Sequence, residues 1–128
     1  METMSTGPRG GKVLVVDDDA QSLKLTARLL RKAGYDVVTR ADAIGTSFAV
    51  ASERPDLVLF DLDMPPIDGD RLVHLILRAL VDPPYIVLYS GVDAKQLEQR
   101  ALACGADASI PKGIEPAALR LEIIKTHY

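Results

Sequence analysis

The chain has little cysteine: one residue, Cys104, in 128. No internal disulfide is possible, so the fold must rest on a packed core rather than on staples. Cys104 closes a helical pattern and reads as a packing residue. No apolar run approaches the roughly 20 residues of a membrane span, and the N-terminus lacks the basic-then-apolar layout of a secretory signal. A reducing, cytoplasmic setting without a membrane partner is the expectation. Basic charge is not in surplus either, with 15 Lys and Arg against 18 Asp and Glu and a net charge of −3. Such a surface offers no broad positive field to nucleic acid phosphates, so no direct nucleic-acid partner is expected. Internal repeats and low-complexity tracts are absent as well.

Apolar residues make up 48% and charged residues 26%, the composition of a globular domain. The length leaves room for one such domain. Residues 1–11 are small, polar and turn-prone, and are read as a flexible N-terminal tail; residues 12–128 are read as the folded domain. Within the tail and its border, "GPRGGK" comes close to a phosphate-cradling loop. It is one residue short, has no Ser or Thr after the Lys, and precedes a strand where that loop follows one.

Four apolar runs punctuate the domain: "VLVV" at 13–16, "LVLF" at 57–60, "IVLY" at 86–89 and the weaker "ASI" at 108–110. Runs without polar alternation suit strands buried on both faces of a parallel sheet. "YDVVTR" at 35–40 is more mixed and suits an edge strand. Between the runs lie helical periods, with Leu23, Ala27 and Leu30 on one face and Leu72, Leu75, Ile76 and Leu80 on another. Gly34 and the prolines mark stops. Helices near 43–54, 93–104 and 115–126 complete a βα unit made five times, which predicts an α/β fold with helices on both faces of a parallel sheet.

Each apolar run leads into a polar group. Asp17, Asp18 and Asp19 follow the first, Asp61 the second, Ser90 the third, and Pro111 and Lys112 the last. Ligands bind at the carboxyl ends of the strands in such sheets, so residues scattered along the chain become one candidate site. Carboxylates gathered there either take up a proton or recruit a cation, and magnesium suits a sparse oxygen set completed by water and phosphate. Asp61 could then attack phosphorus as a carboxylate nucleophile, with Ser90 and Lys112 stabilising the transferring group. Taken singly, these residues have plainer roles. Asp19 suits a helix cap, Ser90 a strand-end hydroxyl, Lys112 a solvated cation, and Asp68-Gly69 a turn. His74 and His127 lack ligand-spaced partners and read as helix-surface residues.

The stretch "LVLFDLDMP" resembles the nucleophile motif of haloacid-dehalogenase-type phosphatases, in which the first Asp is phosphorylated and the second acts as acid and base. That motif normally closes the first strand, continues with a small residue and needs acids after the Lys. Here Met64-Pro65 follow, only Glu115 and Glu122 lie beyond Lys112, and the acids stand at the front. Residues 12–128 resemble the receiver domain of two-component response regulators. "VLVVDDD", "AGYDV", "PDLVLFDLDMPPIDG", "YIVLYSG" and "ACGADASIPK" carry that likeness. It implies a doubly wound (βα)5 flavodoxin-like sandwich with strand order 2-1-3-4-5. It implies Asp61 as phosphoacceptor, Asp18 as direct Mg2+ ligand, Asp17 holding metal-bound water, Asp63 lending its backbone carbonyl, and Ser90 and Lys112 contacting the phosphoryl group. The implied partners are a histidine kinase or phosphotransfer protein and an unknown downstream protein, and the implied role is a regulatory phosphoacceptor, not an enzyme.

Three positions depart from the receiver pattern. Ser109 stands where an aromatic residue is usual, three positions before the Lys. Gly113 replaces the Pro that usually follows the Lys in a cis bond; without proline such a bond costs about 2.5–4 kcal/mol, so Lys112-Gly113 is expected to be trans. The Asp63 side chain adds negative charge beside the acceptor. Ser109 and the "PKG" sequence keep a second reading open, a receiver-like interaction module that signals without phosphorylation; the phosphatase is a third.

Overall fold

The computed structural model describes residues 11–42, 45–61, 69–80, 82–91 and 93–111. Five strands and four helices alternate through them: β1 (Lys12–Val16), α1 (Ala20–Lys32), β2 (Asp36–Arg40), α2 (Thr46–Glu53), β3 (Leu57–Asp61), α3 (Gly69–Ala79), β4 (Tyr85–Ser90), α4 (Ala94–Cys104) and β5 (Ala108–Pro111). All strands pair in parallel in the order β2-β1-β3-β4-β5, the doubly wound arrangement. The expected fifth helix, 115–126, and nearly all of the expected tail lie outside the described residues. Gly11, at the border, accepts the Asp36 N–H at 2.9 Å.

The pleat explains why the strand runs are apolar throughout. Val13 and Val15 of β1, Leu57 and Leu59 of β3, Val87 of β4 and Ile110 of β5 face α1, where they bury Leu23, Ala27 and Leu30. The alternate residues, Leu14, Val16, Val58, Phe60, Ile86 and Leu88, pack under α2, α3 and α4. With both faces covered, neither set can be polar. β2 has one neighbour, and Asp36 and Thr39 are exposed. Arg31 reaches from α1 to donate to the Val37 carbonyl of this edge strand at 3.1 Å.

Local signals set the helix ends. Asp19 caps α1, its Oδ1 accepting from the Gln21 and Ser22 N–H groups at 3.0 and 3.3 Å. At the other end Gly34 takes φ +102°, Tyr35 N–H bonds to the Leu30 carbonyl, and Gly34 N–H bonds to that of Arg31, both at 3.0 Å. This is a Schellman closure, with buried Tyr35 and Leu30 in the same core cluster. Gly45, also left-handed, caps the start of α2, and a Cβ there would stand 2.7 Å from an Arg40 guanidinium nitrogen. Of the expected stripe of α3, Ile76 is buried and Leu80 packs against the core, and Val73 and Leu77 join them there. The side chains of Leu72 and Leu75 lie outside the description.

At the amino-terminal margin of the sheet two acids repeat one device. Asp56, just before β3, donates its N–H to the Lys12 carbonyl and accepts the Lys12 N–H on its carboxylate, both at 2.8 Å. Asp107, just before β5, does the same to Ile86 of β4, at 2.8 and 2.7 Å. A groove of about 520 Å³ lined by Val50, Arg54, Pro55, Leu80 and Pro84 opens at this same margin.

Candidate functional site

The acids converge at the opposite, carboxyl-terminal margin. Asp17 follows β1 and stays tied to the edge strand, its N–H bonding to the Arg40 carbonyl at 3.1 Å. Its side chain is buried, and Oδ1 accepts the Asp19 N–H at 3.0 Å. Asp61 is the last residue of β3, buried and opposite Tyr89 of β4. Asp18 is exposed beside them. Carboxylate oxygens of Asp17, Asp18 and Asp61 lie within 4.8 Å of one another.

Ser90 ends β4, is fully buried, and stands opposite Pro111 of β5. Lys112, which follows Pro111 in the sequence, and Asp63 lie outside the described residues, as do His127, Gly113 and Asp68. Of the expected constellation, then, the structure brings Asp17, Asp18 and Asp61 into one cluster and sets Ser90 one position beyond Tyr89, the register partner of Asp61. Asp19 is not in the cluster and serves as a helix cap. Cys104 is buried in the core and His74 is exposed on α3, in keeping with their plainer roles.

Three carboxylates so close repel one another. At the 4.8 Å that bounds their separation the cost per pair is about 0.9 kcal/mol at the dielectric of water and about 3.5 kcal/mol at an effective dielectric of 20. Two of the three are buried, so water screens them poorly. A hard divalent cation relieves this. Opposite ligands of a magnesium ion, at bonds of about 2.1 Å, stand about 4.2 Å apart, close to the spread of the cluster. Oxygen donors, few carboxylates and an open side toward solvent fit magnesium rather than a metal that prefers nitrogen or sulfur.

The family model of the response regulator receiver domain matches residues 13–124. The chain belongs to this family. It is a receiver domain of a two-component response regulator, a regulatory domain and not a classical enzyme. That match decides between the two resemblances of "LVLFDLDMP" and removes the phosphatase. The physical reason is visible in the topology, since Asp61 closes the third strand and its acidic neighbours close the first.

Among curated relatives, the receiver domain is 35% identical over 111 residues to the transcriptional regulatory protein PrrA of Mycobacterium tuberculosis, covering 85% of this chain and 46% of the relative. It is 35% identical over 108 residues to the DNA-binding response regulator MtrA of the same species, with 84% and 46% covered. The chain thus spans about half the length of the curated relatives it matches. Among solved structures, the BeF3-activated N-terminal receiver domain of Klebsiella pneumoniae RstA superposes with a TM-score of 0.78 at 34% identity, covering 91% of this chain and 97% of that one. The chemotaxis protein CheY4 of Vibrio cholerae gives 0.76 at 25% identity, with 89% and 96% covered.

The sequence reading missed Asp56 and Asp107, whose only signal is an acid directly ahead of a strand. It also counted Tyr89 simply as part of a strand.

Proposed function

We propose that this receiver domain accepts a phosphoryl group on Asp61 from a histidine kinase or phosphotransfer protein, in a magnesium-dependent step, and thereby switches its interaction with a downstream protein. The observation that carries the reading is the gathering of Asp61 with Asp17 and Asp18 at the carboxyl margin, one strand from the buried hydroxyl of Ser90. A carboxylate oxygen of Asp61 attacks phosphorus, and the bond to the donor imidazole nitrogen breaks with its electron pair left on the ring. Asp18 and Asp61, with Asp17 beside them and the Asp63 carbonyl, would hold magnesium, which when bound offsets the negative charge of carboxylates and phosphoryl oxygens. Ser90 donates a hydrogen bond to one phosphoryl oxygen and Lys112 neutralises another. Switching follows as a shift between two conformational populations.

Acetyl phosphate with magnesium should label the wild type, beryllofluoride with magnesium should bind it, and Asp61→Asn should do neither. Equal labelling of wild type and variant would remove the assignment of Asp61. A wild type that takes up neither reagent would favour an interaction module that signals without phosphorylation.

A further inference from the structure

Tyr89 occupies the strand position directly opposite the acceptor, Asp61, in the β3–β4 register. Neighbouring strands lie about 4.8 Å apart, and register partners in a parallel pair share a face. The face is fixed by the core. Leu57 and Leu59 of β3 and Val87 of β4 belong to the α1-side cluster, Tyr89 packs against that cluster, and Asp61 continues the period of Leu57 and Leu59. The phenol therefore flanks the acceptor on the β4 side, on the face where Asp17, continuing the period of Val13 and Val15, flanks it from β1. Tyr89 is half-buried and packs against the α1-side core, so a large aromatic side chain stands at the strand position beside the acceptor.

We infer that Tyr89 is a positioning residue that sets the lifetime of the aspartyl phosphate by occupying the path of water along the β4 flank of Asp61; the inference rests on the function proposed above. Loss of the phosphoryl group proceeds by attack of a water oxygen on phosphorus. The bond from phosphorus to the Asp61 oxygen breaks, its electron pair restores the carboxylate, and the hydrogens of the water leave with inorganic phosphate. A side chain that fills the volume beside the acyl oxygen admits fewer productive water positions. The shape of the ring, not its hydroxyl, carries the effect.

The experiment follows the decay of protein labelled with radioactive acetyl phosphate, after removal of the reagent, for wild type, Tyr89→Phe and Tyr89→Ala. Magnesium affinity and melting temperature are measured in parallel. The expected result is wild-type decay in Tyr89→Phe and decay up to about tenfold faster in Tyr89→Ala, the change that about 1.4 kcal/mol of barrier produces. Magnesium affinity in Tyr89→Ala should stay at the wild-type value. Unchanged decay in Tyr89→Ala overturns the inference while leaving Asp61 as acceptor. Faster decay in Tyr89→Phe transfers the effect to the hydroxyl and overturns it too, and a parallel fall in magnesium affinity assigns the change to general loosening of the site. A wild type that takes no label overturns the function proposed above and this inference with it.

Discussion

Replacing Asp61 by Asn should make the metal-free receiver domain more stable while ending its response to magnesium. The substitution keeps the shape of the side chain and removes one charge from a cluster whose oxygens lie within 4.8 Å of each other. The Asp17 partner is buried, so its repulsion lies toward the 3.5 kcal/mol limit, whereas exposed Asp18 lies toward about 0.9 kcal/mol. Side-chain relaxation consumes part of this, and about 2 kcal/mol of net stabilisation is the working figure, because the unfolded chain keeps these charges further apart. With an unfolding entropy of about 2.1 cal/mol/K per residue, a gain of that size raises the melting temperature by about 7 °C. Magnesium at a hundredfold excess over its dissociation constant stabilises the wild type by about 2.7 kcal/mol, so the two proteins should change places when the metal is added. The assay is thermal unfolding by circular dichroism in EDTA and in saturating magnesium. High salt screens the part involving exposed Asp18 and spares the buried pair. An Asn variant no more stable than wild type in EDTA would refute the reasoning from repulsion, and one that still gains from magnesium would refute Asp61 as a ligand.

Two further outcomes concern the fold. Asp107→Ala strips the buried Ile86 N–H of a 2.7 Å partner and should lower stability to urea by about 1–2 kcal/mol, with faster exchange of that amide; Asp107→Asn, which keeps an acceptor oxygen, should lose less. Arg54 ends α2 with φ 49° and ψ 56°, a left-handed conformation in a residue with a side chain. Arg54→Gly relieves strain of about 1 kcal/mol but frees the unfolded chain by a smaller amount, so a gain of about 0.5 kcal/mol is expected, read as a higher urea midpoint. A lower midpoint would mean that the Arg54 side chain contributes more to the groove it lines than its backbone costs.

Much of this architecture was legible in the sequence because burial on both faces leaves strands no choice but unbroken apolar runs. β1, β3 and β4 stood out for that reason, and β2 stood out by its mixture, the mark of a strand with one neighbour. The clustering of Asp17, Asp18 and Asp61, with Ser90 on the next strand, was legible because each run stops at a polar residue and parallel topology brings these stops to one margin. In α3, Ile76 and Leu80 of the expected stripe pack in the core and Val73 and Leu77 join them, because the letters "LVHLIL" leave the width of the apolar face open. Asp56 and Asp107 were hidden because an acid before a strand looks like any turn residue; its bond depends on which strand lies alongside. Tyr89 was hidden by the same ignorance of register, since nothing in "IVLYS" says that the tyrosine stands beside an acid almost thirty positions earlier.

The paired clamps of Asp56 on β1 and Asp107 on β4 give the sheet two unequal ends. One end is riveted, each rivet holding both the donor and the acceptor of a neighbouring strand, while the other carries like charges that push apart. Charge added to Asp61 would land at the end of the sheet opposite both rivets. Side chains at the charged rim can be replaced without removing a partner from either rivet, which leaves the site free to vary while the strand pairing at the far end is kept.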